Sequence, residues 1–111
     1  MAIHLSDRKC VACEGDVPPL DASQIKDYLG EFKEKWDVIQ GKKIKKEFKF
    51  KDFKEAMSFI NKVADIAESE GHHPDLFIFY NRVVMELWTH AIKGLSENDF
   101  IIAAKVEKLI S

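Results

Sequence analysis

The side chains best suited to chemistry here are histidines set beside structural punctuation. His72 and His73 stand between Gly71 and Pro74, and His90 follows Thr89 at the end of an apolar run. Element ends of this kind are where a rigid scaffold presents functional groups. An imidazole changes charge near neutral pH and so serves as acid or base. A helix C-terminus carries exposed carbonyls and partial negative charge, which favour imidazolium. Glu68 and Glu70, in the preceding turn, act in the same direction. One histidine can then be charged while another is neutral, the division that proton transfer in both directions requires. A competing reading makes His72-His73 a capping device and His90 an exposed strand end. Zinc is a third reading and a poor one. The sequence offers no His-x3-His or His-x-His pair, and adjacent histidines on extended backbone point apart. No metal is expected.

These residues depend on the elements around them. Asp21-Ala22-Ser23-Gln24 has the form of a capping box. Ile25, Tyr28, Leu29 and Phe32 follow at helical spacing, predicting an amphipathic helix to about Lys35. Trp36, Val38 and Gln40 read as a short strand and Gly41 as a turn. Ile44, Lys46, Phe48 and Phe50 alternate with Lys45, Glu47, Lys49 and Lys51, the pattern of a half-buried strand. Asp52 to Glu55 reads as a second capping box. Phe53, Ala56, Met57, Ile60, Val63, Ala64 and Ala67 then hold the helical period until Gly71 stops it, and Pro74 blocks a restart. Leu76 to Tyr80 and Val83 to Thr89 predict a hairpin turning at Asn81-Arg82. Val83, Met85, Leu87 and Thr89 share one face; Val84, Glu86, Trp88 and His90 share the other. Ser96 to Asp99 reads as a helix cap with an acid in the first turn, and Phe100, Ala103, Ala104 and Val106 to Ile110 as the last helix. The order α-β-β-α-β-β-α predicts an α+β fold, a four-stranded antiparallel sheet with three helices packed on one face. Residues 1–19, with Cys10, Cys13, Gly15 and the Pro18-Pro19 pair, are expected to be irregular.

Composition narrows the function classes. A chain of 111 residues predicts a single domain, and 46% hydrophobic with 32% charged residues excludes a disordered one. Lys plus Arg number 17 against 19 Asp plus Glu, a net charge of −2, so no basic field invites nucleic acid. Seven lysines between Lys42 and Lys54 do interleave with Phe48, Phe50 and Phe53. Yet Phe48 and Phe50 take one parity and Lys49 and Lys51 the other, which describes a core-facing strand with a solvated outer side. No apolar run approaches the roughly 20 residues of a membrane span, and Met1 to Asp7 lacks a signal-peptide pattern. A cytoplasmic chain with no membrane partner is expected. Cys10-Val11-Ala12-Cys13 has ligand or redox spacing, but neither a second Cys pair nor a βαβ context accompanies it. It reads as a loop with two thiols.

Gly71-His72-His73-Pro74-Asp75, Tyr80-Asn81, Val83, Trp88-Thr89-His90 and Gly94-Leu95-Ser96-Glu97-Asn98-Asp99 together resemble the pterin-4a-carbinolamine dehydratase family. Trp36, the Gly41 turn, Phe48 to Phe53 and Ala67-Glu68 extend the resemblance to about residues 20–110. Its most specific part is His-His-Pro followed by Thr-His, with His90 sixteen residues after Pro74. The resemblance implies dehydration of 4a-hydroxytetrahydropterin to quinonoid dihydropterin, in tetrahydropterin recycling, with no cofactor. It implies His72, His73, His90 and Asp99 as catalytic residues, with Glu68, Pro74 and Thr89 beside the pterin. Loss of water needs an acid for the departing hydroxyl and a base for a ring N–H. His72 or His73, as imidazolium, would be the acid; His90 or the other member of the pair would be the base. Asp99 would orient a histidine, although an acid in a first helical turn is stabilising by itself. Two positions depart from the family: Gly71 replaces a commonly polar residue, and Trp88 a small or hydroxylated one. Trp88 shares a strand face with His90 and so reshapes the pocket. The resemblance further implies a homodimer or homotetramer. Some animal members bind a homeodomain transcription factor, which makes a non-catalytic dimerisation module the alternative. For that role the Phe100 to Ile110 helix is expected to show an exposed apolar face.

Overall fold

In the computed structural model, which describes residues 5–10 and 18–110, aspartates start the first two helices. Asp21 accepts the Gln24 backbone N–H at 2.9 Å, and the Gln24 side chain accepts the Asp21 N–H at 2.9 Å. This complete capping box opens α1 (Ala22–Leu29). The helix ends before the predicted Lys35. Glu31 and Phe32 bond back to the carbonyls of Tyr28 and Leu29, the tightened turns of a helix end. Glu107, from the last helix, then accepts the backbone N–H groups of Lys33 and Glu34 and the Trp36 indole N–H, which holds the chain away from a helical path.

Asp52 caps α2 (Phe53–Glu70) by accepting the Glu55 N–H at 2.9 Å. The return half of this box is displaced by one residue, because the Glu55 carboxylate takes the Lys51 N–H instead. Gly71 ends the helix at φ 67°, a left-handed conformation that glycine adopts without a Cβ clash, and donates its N–H to Ala67. The buried stripe of α2 is Ala56, Phe59, Ile60, Val63 and Ala67. Phe53 and Ala64, expected on that stripe, are exposed. Phe59 carries the packing instead, with its ring centroid 4.9 Å from those of both Phe48 and Phe50.

The strands β1 (Asp37–Ile39), β2 (Lys43–Lys49), β3 (Asp75–Phe79) and β4 (Arg82–Leu87) form one antiparallel sheet in the order β1-β2-β4-β3. The β3–β4 hairpin turns at Tyr80-Asn81, one residue earlier than predicted, with Phe79 opposite Arg82. Asn81 continues the β2–β4 pairing by one step beyond Lys49 opposite Arg82. Its side-chain amide donates to the Phe50 carbonyl at 3.0 Å and its own carbonyl accepts the Phe50 N–H at 2.8 Å. β4 stops at Leu87, so His90 does not end a strand. It begins a 3-10 turn, His90–Ile92, inside a loop closed by a Thr89–Gly94 bridge.

Ile44, Phe48, Val83, Met85 and Leu87 face the helices and join the α2 stripe and α3 (Glu97–Ile110) in one core. The opposite face carries Lys45, Glu47 and Lys49 of β2, with ion pairs from Arg82 to Glu47 at 3.1 Å and from Lys43 to Glu86 at 3.5 Å. The architecture is thus the expected α+β order. The expected apolar face of the last helix, however, is not exposed. Phe100, Ile101, Ile102, Ala103 and Val106 pack inward because the sheet and α2 cover them; Ile110 at the end is the exposed apolar residue of that helix. Exposed apolar surface lies on β3 instead, at Phe77, Ile78 and Phe79.

The N-terminal segment is less irregular than expected, since Leu5–Asp7 form a 3-10 turn with Leu5 buried in the core. Arg8 and the Tyr28 hydroxyl both reach Glu97 at 2.7 Å, and Lys105 donates to the Ser6 carbonyl. Cys13 lies outside the described residues. Among those residues no helix is long and apolar enough to cross a membrane.

The Tyr28–Glu97 contact sets a pH dependence. Burial, followed by the bond to Glu97, pushes the Tyr28 phenol up to about 12. An unfolded tyrosine ionises near 10. Between about pH 10 and 12 the folded chain therefore keeps a proton that the unfolded chain loses, and stability falls as pH rises through that window. Tyr28→Phe keeps the ring stacked on Phe100, at 4.9 Å, and removes the hydroxyl. The expected result is loss of the late phase in an alkaline absorbance titration and a flatter stability profile above pH 10.

Candidate active site

The left-handed Gly71 turns the chain out of α2 and delivers His72 and His73 to the space between that helix and β3. His72 points inward. Its Nε2 lies 2.6 Å from Asp99 Oδ1, and Asp99 is fully buried in the first turn of α3. The other oxygen, Oδ2, accepts the Thr89 hydroxyl at 2.8 Å and the Ser96 N–H at 3.0 Å. Thr89 has one hydroxyl proton and gives it to Asp99, so the Ser96 hydroxyl must donate to Thr89 across their 2.8 Å contact. Asp99 thereby binds three donors that arrive from the end of α2, the β4 exit and the start of α3. With Nε2–H directed at Asp99, Nδ1 is the His72 nitrogen left for a bound molecule.

His73 points outward, with Nε2 2.5 Å from Glu68 Oε2 in a solvent-exposed pair. Exposure makes that pair weak as a stabilising contact. His90 is held differently. Its ring lies against the Trp88 indole with centroids 4.0 Å apart, and the Trp88 N–H donates to Asp75 Oδ2 at 3.3 Å.

A cleft of about 540 Å³ is lined by His72, His73, Pro74, Trp88, Thr89 and His90. Residues far apart in sequence thus meet at one surface. Asp99 stands behind its wall, in contact with His72. Glu68 stands outside it, in contact with His73. Thr89 contributes to the wall, but its hydroxyl is committed to Asp99. Sequence reasoning did not assign Asp75, Ala91 and Asn98 to the lining, nor Glu70 as a wall residue. Asp75 carried a usable signal, being a carboxylate directly after His-His-Pro; Ala91 and Asn98 carried none. A groove over α2 of about 600 Å³, lined by Phe53, Met57 and Asn61 among others, is larger but contains no histidine.

Beside the cleft, the Cys10 N–H donates to Glu70 Oε1 at 2.7 Å, and the Cys10 thiol lies 3.7 Å from the Asn98 carbonyl oxygen. Burial first, and then the charge of Glu70, push this thiol up to about 12. It is a protonated thiol at neutral pH, the unreactive form. Among the described residues no cluster of three or more His, Cys, Asp or Glu side chains is arranged to hold a metal ion.

A small α+β protein whose cleft combines a helix-end histidine pair with a third imidazole from the opposite loop defines the class. The comparisons specify it further. The chain belongs to the pterin 4 alpha carbinolamine dehydratase family, whose model matches residues 18–109. A protein of Alkaliphilus metalliredigens, provisionally named a pterin-4-alpha-carbinolamine dehydratase, is 47% identical over 105 residues, 95% of each chain. A Legionella pneumophila protein of the same provisional name is 45% identical over 111 residues, 99% of this chain and 98% of its own. A crystal structure from Brucella melitensis, described as a transcriptional coactivator/pterin dehydratase, superposes with a TM-score of 0.78 at 35% identity, over 84% of this chain and 99% of that one. A pterin dehydratase-like protein described as a RuBisCO assembly factor of the alpha-carboxysome shares the fold, with a TM-score of 0.60 at 23% identity over 69% of this chain and 90% of that one.

Two outcomes follow from this geometry. Asp99→Asn would turn an amide N–H₂ toward one of three buried donors. It should destabilise the fold by about 1–3 kcal/mol in urea unfolding, and an unchanged midpoint would contradict the hydrogen-bond arrangement described. In a Cys13→Ser background, Cys10 should react with a thiol reagent at pH 8 at least about tenfold more slowly in the folded chain than in urea.

Proposed function

We propose that this protein dehydrates 4a-hydroxytetrahydropterin to quinonoid dihydropterin and water, as a step of tetrahydropterin recycling. The observation that carries the proposal is the meeting of His72, His73 and His90 on one cleft in a chain of this family. In the step, the C4a–O bond breaks with its electron pair on oxygen, and an imidazolium supplies the proton that makes water. A base removes the ring N–H proton, and that electron pair closes the new C=N bond. No net oxidation occurs, so no redox partner enters.

The partners of the histidines support a division of roles. A carboxylate in contact balances the charge of an imidazolium. Asp99 does this for His72 and Glu68 for His73, which suits either to the acid role. His90 has no carboxylate partner among the described residues and suits the base role. Pro74 and the wall around Thr89 would flank the pterin. Each proton transfer contributes on the order of 10²–10⁴-fold.

A second reading, an interaction module without catalysis, is favoured by one feature. β3 is an edge strand of the sheet, and Phe77, Ile78 and Phe79 on it are 41–51% exposed. Such an edge invites pairing with another chain, and self-association into a homodimer or homotetramer is part of the proposal. A protein partner of the kind suggested by the name of the Brucella structure would use the same surface.

Stopped-flow dehydration of a freshly generated 4a-hydroxytetrahydropterin, with His72→Ala, His73→Ala and His90→Ala taken singly, tests the proposal. Losses of about 10²-fold or more in at least two variants are expected. Three unchanged rates would end the catalytic assignment, and an inactive wild type that binds a protein partner tightly would favour the second reading.

A further inference from the structure

We propose that Trp88 is a positioning residue that sets the ring orientation of His90. The inference rests on the dehydratase reading of the cleft. It starts from an asymmetry among the three imidazoles. His72 and His73 are each fixed by a carboxylate through Nε2. His90 is exposed, and among the described residues its ring makes no hydrogen bond; the contact that restrains it is the Trp88 indole, with centroids 4.0 Å apart and planes tilted by 42°. This is the shortest ring separation described in the molecule; the other aromatic pairs lie at 4.9–6.1 Å. The outer torsion of a histidine is broad when nothing packs against the ring. A base with a broad orientation meets its proton in few of its conformers, and misplacement by about 1 Å is enough to cost a factor near 10² in rate.

Trp88 is itself braced. Its N–H donates to Asp75 Oδ2 at 3.3 Å, and the Lys43 ammonium stands 4.8 Å from its ring centroid. Lys43 is paired in turn with Glu86, at 3.5 Å. The brace therefore runs from β2, through Trp88 just beyond the end of β4, to Asp75 at the start of β3. These strands are packed by the sheet, whereas His90 sits on a loop. Trp88 carries the rigidity of the sheet to a side chain that the loop alone leaves free. The indole thus supports the one of the three cleft imidazoles that has no carboxylate partner among the described residues.

The test combines steady-state and stopped-flow dehydration with NMR of the His90 ring protons, in Trp88→Leu, Trp88→Phe and Asp75→Asn, each also placed in a His90→Ala background. Trp88→Leu should lower kcat about tenfold or more with little change in KM. Trp88→Phe, which keeps a ring, should recover most of that loss, and Asp75→Asn should fall between them. The His90 ring protons should lose their upfield ring-current shift in Trp88→Leu and keep part of it in Trp88→Phe. In the His90→Ala background, Trp88→Leu should cost nothing further, because two residues that act as one unit do not add. Additive losses, or His90 resonances that ignore the indole, would overturn the role. An inactive wild type would overturn the dehydratase reading and this role with it, and it is recognised before any variant is made.

Discussion

A carboxylate without access to water must be surrounded by donors, and Asp99 is fully buried. Its three donors come from His72, Thr89 and Ser96, so a single side chain joins three segments of the chain. Remove the charge and each donor is left facing a group that cannot accept as well. The position of His72 therefore follows from the energetics of burial as much as from the path of the backbone. The first-turn location of Asp99 adds the favourable field of a helix N-terminus. Oδ2 takes the Ser96 N–H at the start of the helix while Oδ1 meets His72, so one carboxylate serves the helix end and the histidine through separate bonds.

Around that joint, the three histidines are held by three different means. His72 has a buried carboxylate, His73 an exposed one, and His90 an aromatic face. These environments differ in water access and in local charge, although the side chains are chemically identical and share one surface. The family model and the relatives match nearly the whole chain that carries this cleft.

Much of the fold was legible in the sequence because its signals are local. Asp21 with Gln24, Asp52 with Glu55, the alternation from Ile44 to Phe50 and the stop at Gly71 each act within a few residues. The misreadings came from contacts across the chain. α1 is cut short by Glu107, which lies more than seventy residues from the backbone it binds. Asn81 is drawn into the β2–β4 pairing opposite Phe50, and periodicity alone could not rank Phe59 above Phe53. The last helix read as half exposed because its own sequence does not say that the sheet and α2 cover it. The histidines were legible as a set; their partners were less so. The pairing of Asp99 with His72 across 27 residues, and of Trp88 with Asp75 across 13, depends on tertiary closure.

Gly94 has a consequence for motion. A Cβ on it would lie 2.7 Å from the Cβ of Pro19, and next to it the Leu20 N–H bonds to the Leu95 carbonyl at 2.8 Å. The segment that leads into α1 is thereby seated on the base of the loop that carries His90. Separation of that segment from the base of the loop breaks the Leu20 bond, so deuterium uptake at this one backbone amide is a clock for how often the two come apart.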